Sequence, residues 1–145
     1  MKTKKSYKFF ILTIYISLAV IGALFLRENQ FNILMLSVVV SLFPKVLIPL
    51  EKNVLFIGVC VLLSYSTFLL ISYLNSDFKS AFTFSYLLVD YFLLTLLNWY
   101  SIKRYNRGLD IISFAFITTN SSILDIFYFI FKITIIIVWT YIFVV

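Results

Sequence analysis

The sequence predicts an all-α integral membrane protein, a bundle of about five transmembrane helices. Of the 145 residues, 63% are hydrophobic and only 12% are charged, whereas a soluble domain is typically about half apolar and about a quarter charged. A chain with so few polar residues cannot cover its own surface in water, so most of that surface is expected to face lipid. The apolar residues also form long runs of the kind that cross a bilayer as helices.

Five runs approach or reach the roughly 20 apolar residues that span a hydrocarbon core. They cover residues 9–26, 31–50, 54–74, 81–100 and 123–145. The first begins with lysines, as a signal peptide does, but its apolar centre is longer than the usual ~7–15 residues, so we expect an uncleaved anchor. No linker rich in Gly, Pro or Ser divides the runs, and residues 1–145 are expected to form one domain.

Residues 111–122 are the part of the chain that fits this plan least well. The stretch 111–119 is apolar but too short to cross a bilayer, and a polar stretch follows it. Two interpretations stay open, an interfacial segment or a turn of the last helix.

The loops carry positive charge unevenly, which predicts the orientation. Cytoplasmic loops of membrane proteins are enriched in Lys and Arg. The other side of this chain would carry only Arg27 and Lys79, each close to an acidic residue. The cytoplasmic side would carry Lys2, Lys4, Lys5, Lys8, Lys45, Lys52, Lys103, Arg104 and Arg107. We therefore expect a cytoplasmic N-terminus and, with five spans, a C-terminus outside, by default in a bacterial plasma membrane.

Two charges of opposite sign lie inside apolar runs, Asp90 in the fourth and Lys132 in the fifth. A charge near the bilayer centre costs about 2.5–3.5 kcal/mol on insertion scales. Asp90 follows Ala81 by nine residues and Lys132 follows Ile123 by nine, so each would lie roughly 13 Å from opposite boundaries. The two depths nearly coincide in a core about 30 Å thick. We predict an interhelical Asp90–Lys132 contact, and favour a structural clamp over a proton or ion relay.

A proline-containing segment closes the second run. Pro44 and Pro49 lie five residues apart, with Lys45 and Glu51 beside them. Proline removes a helical hydrogen bond and bends the helix. The plainer interpretation is a bent helix end with a snorkelling lysine, and the functional one is a surface that recognises a partner.

This segment resembles a pattern in the immunity proteins against pore-forming colicins. Several of those small, basic inner-membrane proteins have a proline at the end of an apolar run, a nearby lysine, and a glutamate seven residues after the proline. Here the matching residues are Ser41-Leu42-Phe43-Pro44-Lys45 and Glu51, and the lysine-rich, aromatic N-terminus is also similar. The resemblance covers about the first third of the chain. It implies a protein that recognises the helices of a toxin within the bilayer and prevents channel opening.

A basic segment follows the fourth run, with Lys103, Arg104 and Arg107. It is sufficiently explained as a topology signal, but it could also contact anionic lipid headgroups or an acidic partner.

The composition argues against several chemical classes. The chain has no histidine, one cysteine and six carboxylates, which disfavours a transition-metal site and the usual general base. No catalytic motif is recognisable, so we expect no enzyme and no cofactor. The basic residues form no aromatic-interleaved patch, so a nucleic-acid partner is not expected.

Three functions are compatible with these observations. The first is immunity to a pore-forming toxin, as the resemblance implies. The second is a small accessory subunit of a transport, export or envelope-assembly complex, and the third is a small proton-linked carrier centred on Asp90. Membrane lipids are expected partners in every case.

Overall fold

The computed structural model describes residues 3–26, 28–47, 50–106 and 123–144, with side chains for 7–26, 28–41, 53–104, 106 and 126–143. The described residues form helices joined by short turns, and the predicted all-α class is confirmed. The elements are α1 (Thr3–Phe25), α2 (Gln30–Leu47), α3 (Leu50–Leu74), α4 (Phe78–Phe84), α5 (Tyr86–Tyr105), α6 (Ile123–Trp139) and a π-helical turn (Thr140–Val144).

Four stretches of helix are long and apolar enough to cross a membrane. They are Tyr7–Phe25, Asn53–Leu74, Phe78–Arg104 and Ile126–Phe143, and each overlaps a run identified in the sequence. The remaining predicted run, 31–50, corresponds to α2, whose described apolar part, Gln30–Ser41, is shorter than the other four. The uncertain segment 111–122 lies outside the described residues.

The fourth run differs from the prediction of one continuous helix over 81–100, because it is divided at Ser85 into α4 and α5. The Ser85 hydroxyl donates to the Phe82 carbonyl at 2.5 Å, and the Leu88 N–H donates to the Ser85 carbonyl at 2.9 Å, three residues back. Serine hydroxyls that bond the preceding turn compete with the helical ladder and bend helices. A serine inside an apolar run does not by itself predict such a break from the sequence.

Helices α1 and α3 pack closely along small residues of α1. Ala19 and Ala23 are buried, and a methyl group added at Gly22 would lie 3.3 Å from Phe68 Cε2 of α3. The Ser64 hydroxyl of α3 also donates to the Tyr15 carbonyl of α1 at 3.2 Å. Small side chains and interhelical hydrogen bonds of this kind bring transmembrane helices together.

Helix α6 runs antiparallel to α4 and α5, as successive ring contacts show. Phe143 lies parallel to Phe82 with ring centroids 6.3 Å apart, and Trp139 meets Tyr86 edge-on at 6.4 Å. Phe82 and Tyr86 are four residues apart, as are Trp139 and Phe143, so the two rings of each pair lie on one face of the helix. These rings lead directly to Asp90, one turn further along α5.

The described part of the molecule buries several polar side chains and exposes many large apolar ones. Ser37, Ser41, Asp90 and Lys132 are buried, together with six further polar residues. The exposed side chains include large apolar ones, such as Phe25, Leu55, Phe92, Ile137 and Tyr141. This arrangement suits lipid, because hydrocarbon solvates apolar side chains and cannot satisfy polar ones.

The close approach of α5 to α3 requires glycine at position 58, which leads to a first prediction. The Tyr91 hydroxyl donates to the Val54 carbonyl at 3.0 Å, and a methyl group added at Gly58 would lie 2.3 Å from that hydroxyl oxygen. Overpacking typically costs about 1–3 kcal/mol, against a gain of about 1 kcal/mol in helix propensity. We expect Gly58→Ala to lower the free energy of unfolding, measured by denaturant titration in mixed micelles.

Gly22→Ala is the matched control, since the clashing atom there is the mobile end of the Leu36 side chain. Its unfolding free energy should fall less than that of Gly58→Ala. Equal losses at the two glycines would contradict this account of the α3–α5 contact.

Candidate functional site

The candidate site is a buried polar cluster in the middle of the bundle. Lys132 Nζ of α6 lies 3.1 Å from Asp90 Oδ1 of α5, and both side chains are 2% exposed. The structure therefore brings together the two charges that the sequence places at similar depth. A buried charge in a low-dielectric surrounding is tolerated only when it is paired and hydrogen-bonded.

Two hydroxyl groups also contact this ion pair. The Tyr128 hydroxyl of α6 donates to Asp90 Oδ1 at 3.1 Å. Lys132 Nζ donates to the Ser41 hydroxyl of α2 at 3.0 Å, and that hydroxyl donates in turn to the Val38 carbonyl at 2.8 Å. Ser41, Asp90, Tyr128 and Lys132 are called the Asp90 cluster below. It joins α2, α5 and α6.

Helical spacing explains how the cluster is assembled. Tyr128 and Lys132 lie four residues apart and share one face of α6, and Lys132 Nζ also lies 5.7 Å from the centre of the Tyr128 ring. On α5, Tyr86 precedes Asp90 by the same spacing and is fully buried. The face of each helix that turns inward therefore carries the polar groups.

A small cavity lies beside the cluster. Its volume is about 10 Å³, and its lining includes Tyr15, Ser41 and Asp90. Tyr15 is 1% exposed, and its hydroxyl has no hydrogen-bond partner among the described residues. The hydroxyl of Tyr86 and the indole N–H of Trp139 are also buried without a hydrogen-bond partner in the described part of the chain.

A second polar network lies near the start of α2 and α4. Gln30 Nε2 donates to the Ser80 hydroxyl at 3.0 Å, and the Thr83 hydroxyl donates to Gln30 Oε1 at 2.8 Å. Asp77 caps α4 by accepting from the Ser80 backbone N–H at 3.2 Å and from the Ser80 hydroxyl. Each of these groups is satisfied by a neighbour, so the network serves to hold α2 against α4.

The predicted partner-recognition residues fall at the edge of what the structure describes. Pro44 and Lys45 belong to α2 and Glu51 to α3, but their side chains are outside the described set, as is Pro49 altogether. Their proposed role stays a prediction.

The predicted basic contact is described in part. Lys103 and Arg104 are exposed near the end of α5, and Lys103 Nζ lies 5.0 Å from the centre of the Trp99 ring. An amphipathic ring with a cation beside it is typical of the membrane–water interface. Arg107 lies outside the described residues.

Sequence reasoning did not find three residues of this site, namely Tyr15, Ser41 and Tyr128. Ser41 was noted only as the first residue of the segment that resembles the colicin-immunity pattern. The available signal was the four-residue spacing of Tyr128 to Lys132, which places the tyrosine on the face of its charged neighbour.

The chemistry of the cluster is that of a neutral, closed contact. One carboxylate and one ammonium balance each other, and hydroxyl groups occupy further hydrogen-bonding positions. Among the described residues, no three His, Cys, Asp or Glu side chains lie together as a metal site would need. The geometry is that of a clamp between helices.

Comparison with protein-family models, curated proteins and solved structures found no match to this chain.

The clamp predicts strong non-additivity between its two charges. Asp90→Asn alone leaves a buried ammonium unpaired, and Lys132→Met alone leaves a buried carboxylate unpaired. Breaking a buried pair from one side typically costs about 3–5 kcal/mol. We expect each single variant to lose that much unfolding free energy, and the Asp90→Asn/Lys132→Met double variant to recover most of it.

Lys103→Met controls for the loss of a lysine at an exposed position, where little stability is expected to change. If the losses of the two single variants simply added in the double variant, the two charges would not be coupled and the clamp would be refuted.

Proposed function

We propose that the chain spans the bacterial plasma membrane five times, with its N-terminus in the cytoplasm. The packing of α2 supports a fifth span. Gln30, at the start of α2, contacts Ser80 and Thr83 of α4, and Ser41 contacts Lys132 in the middle of the bundle. The helix thus follows the others from one end to mid-depth and continues to Leu47, a length of about 27 Å at 1.5 Å per residue.

Cysteine labelling of intact cells tests this topology. In a Cys60→Ala background, we expect a membrane-impermeant maleimide to label Lys79→Cys and Val145→Cys in intact cells. Lys103→Cys should react only after permeabilisation, because it lies on the predicted cytoplasmic side. Lys79 and Lys103 are both exposed, so access to the reagent depends on the side of the membrane. Labelling of Lys103→Cys in intact cells would reverse the orientation, and a silent Val145→Cys would remove the fifth span.

Within that frame we propose that the protein recognises a second membrane-embedded protein through its helix faces, as an immunity protein against a pore-forming bacteriocin. The observation that carries this is the one-sided attachment of α6. Among its described side chains only Tyr128 and Lys132 are buried. Phe127, Ile130 and Ile137 are among the large side chains that face outward.

An apolar face of this kind can pack against the helices of another membrane protein. Packing between helices in lipid depends on close fit, because lipid tails are as apolar as the side chains themselves. Recognition of an inserted toxin would need no catalytic group, which agrees with the composition. The colicin-immunity pattern at Pro44, Lys45 and Glu51 adds the polar residues that would contact the toxin.

Production of the protein in sensitive cells tests this function. We expect survival of one pore-forming toxin in a panel at a dose that kills cells with an empty vector. Lys45→Gln and Glu51→Gln should reduce that protection by about tenfold or more, if each removes about 1.4 kcal/mol of binding. Lys79→Gln is the control, since Lys79 is exposed and lies outside both the immunity pattern and the basic segment. It should protect fully, with the membrane content of all variants verified by immunoblot. Unchanged killing by every toxin would remove the proposal.

An accessory subunit of a larger membrane complex would use the same outward face of α6. Purification in a mild detergent distinguishes the two functions, since a subunit brings a stoichiometric partner in the absence of any toxin. The carrier hypothesis draws less support, because Asp90 is 1% exposed and paired with Lys132. It predicts that Asp90→Asn loses transport while its folding is kept.

A further inference from the structure

We propose that the cavity beside the Asp90 cluster is a binding site for one internal water molecule, which links α1 to the cluster. The starting observation is the Tyr15 hydroxyl of α1, which is buried without a partner among the described residues. A buried hydroxyl that makes no hydrogen bond is costly, and such groups in folded proteins are commonly satisfied by ordered water.

The size of the cavity matches one water molecule. Its volume is about 10 Å³, and a site needs about 10–15 Å³ of this kind of volume to hold a single water. A larger polar ligand does not fit without movement of the helices. Because α1, α2, α3 and α5 all line the cavity, such movement would disturb the centre of the bundle.

The lining is mostly apolar, with Ile57, Val61, Leu87 and Leu94 among its residues, and its polar groups are few. Tyr15, Ser41 and Asp90 all line the cavity, and a buried water typically makes two to four hydrogen bonds. The Tyr15 hydroxyl can donate to the water, and the water can donate to the Asp90 carboxylate, which has about four acceptor positions in all. The Ser41 hydroxyl can accept as a third partner.

The charge of the cluster favours a neutral ligand. Asp90 is already paired with the Lys132 ammonium at 3.1 Å, so a monovalent cation would have to enter beside a like charge. An anion would approach the Asp90 carboxylate at similarly short range. A water molecule is uncharged and is repelled by neither group. Its two donors and two acceptors suit a carboxylate on one side and a hydroxyl on the other.

The consequence is a fourth helix attached to the Asp90 cluster. The direct contacts of the cluster join α2, α5 and α6, and the water would add α1 through Tyr15. The hydroxyl of Tyr15 then stabilises the fold, whereas a dry, unpaired hydroxyl at that position would destabilise it.

A bridged and a dry Tyr15 hydroxyl predict opposite changes in stability when the hydroxyl is removed, and this makes the proposal testable. With a bridging water, Tyr15→Phe should lower the unfolding midpoint in mixed micelles, because the water loses a partner. Tyr86→Phe is the matched control, since Tyr86 is also fully buried and its hydroxyl also lacks a described partner, but it is not part of the lining of this cavity. Its midpoint should hold or rise.

Infrared difference spectra of the protein in lipid bilayers give a direct readout. The spectrum in ordinary water minus the spectrum in heavy-oxygen water should contain an O–H stretching band of the bound water. We expect this band in wild type and in Tyr86→Phe, and we expect it to be lost in Tyr15→Phe. Absence of that band in wild type would overturn the proposal, as would a Tyr15→Phe midpoint that holds or rises. If Tyr15→Phe does not fold, the wild-type band decides the question. A midpoint that depends on sodium at constant ionic strength would point to a cation instead and would also overturn it.

Discussion

The ion pair between Asp90 and Lys132 is the constraint on which the arrangement of the helices depends. An apolar interior cannot solvate either charge, so α5 and α6 must present these residues to each other at the same height along the bundle. That requirement fixes the rotation and the height of α6, which has few other buried side chains. Because Lys132 also reaches Ser41, the same contact positions α2. The rings of Tyr86 and Trp139 and of Phe82 and Phe143 continue the alignment in steps of about one turn.

Two polar layers at different depths hold α2 in place. One is the Asp90 cluster at mid-depth, and the other is the contact of Gln30 with Ser80 and Thr83 near the start of the helix. A single hydrogen bond would leave α2 able to rotate about it, whereas two contacts separated along the axis fix both rotation and height. Hydrogen bonds between transmembrane helices average well under 2 kcal/mol each. Their main effect here is therefore to orient α2. Close packing of α1 and α3 through Ala19, Gly22 and Ala23 provides the rest of the frame.

Much of this fold could be predicted from the sequence, because long apolar runs and rare intramembrane charges are strong signals. Helix α1 ends within one residue of its predicted run, α3 ends where its run does, and α6 begins where its run does. Equal depth was sufficient reason to pair Asp90 with Lys132. The break at Ser85 could not be predicted, since a serine within an apolar run is compatible with a straight helix and its effect depends on a 2.5 Å contact with Phe82. Tyr15, Ser41 and Tyr128 were missed for a related reason. Hydroxyl groups carry no charge, and only the position of neighbouring helices shows which of them face Asp90.

On the proposed function, the location of the polar groups also bears on how the protein would distinguish one membrane partner from another. A helix that packed on α6 from outside the bundle would meet Phe127, Ile130 and Ile137, and contacts among such side chains discriminate mainly by shape because most exposed side chains of α6 are apolar. The shape presented depends on the rotation of α6, which the buried contact of Lys132 with Asp90 sets. A change at Asp90 would therefore alter recognition without touching the partner, by presenting a different row of apolar side chains to it. Under this proposal, specificity at the outward-facing surface of α6 would be determined by charges in the centre of the bundle.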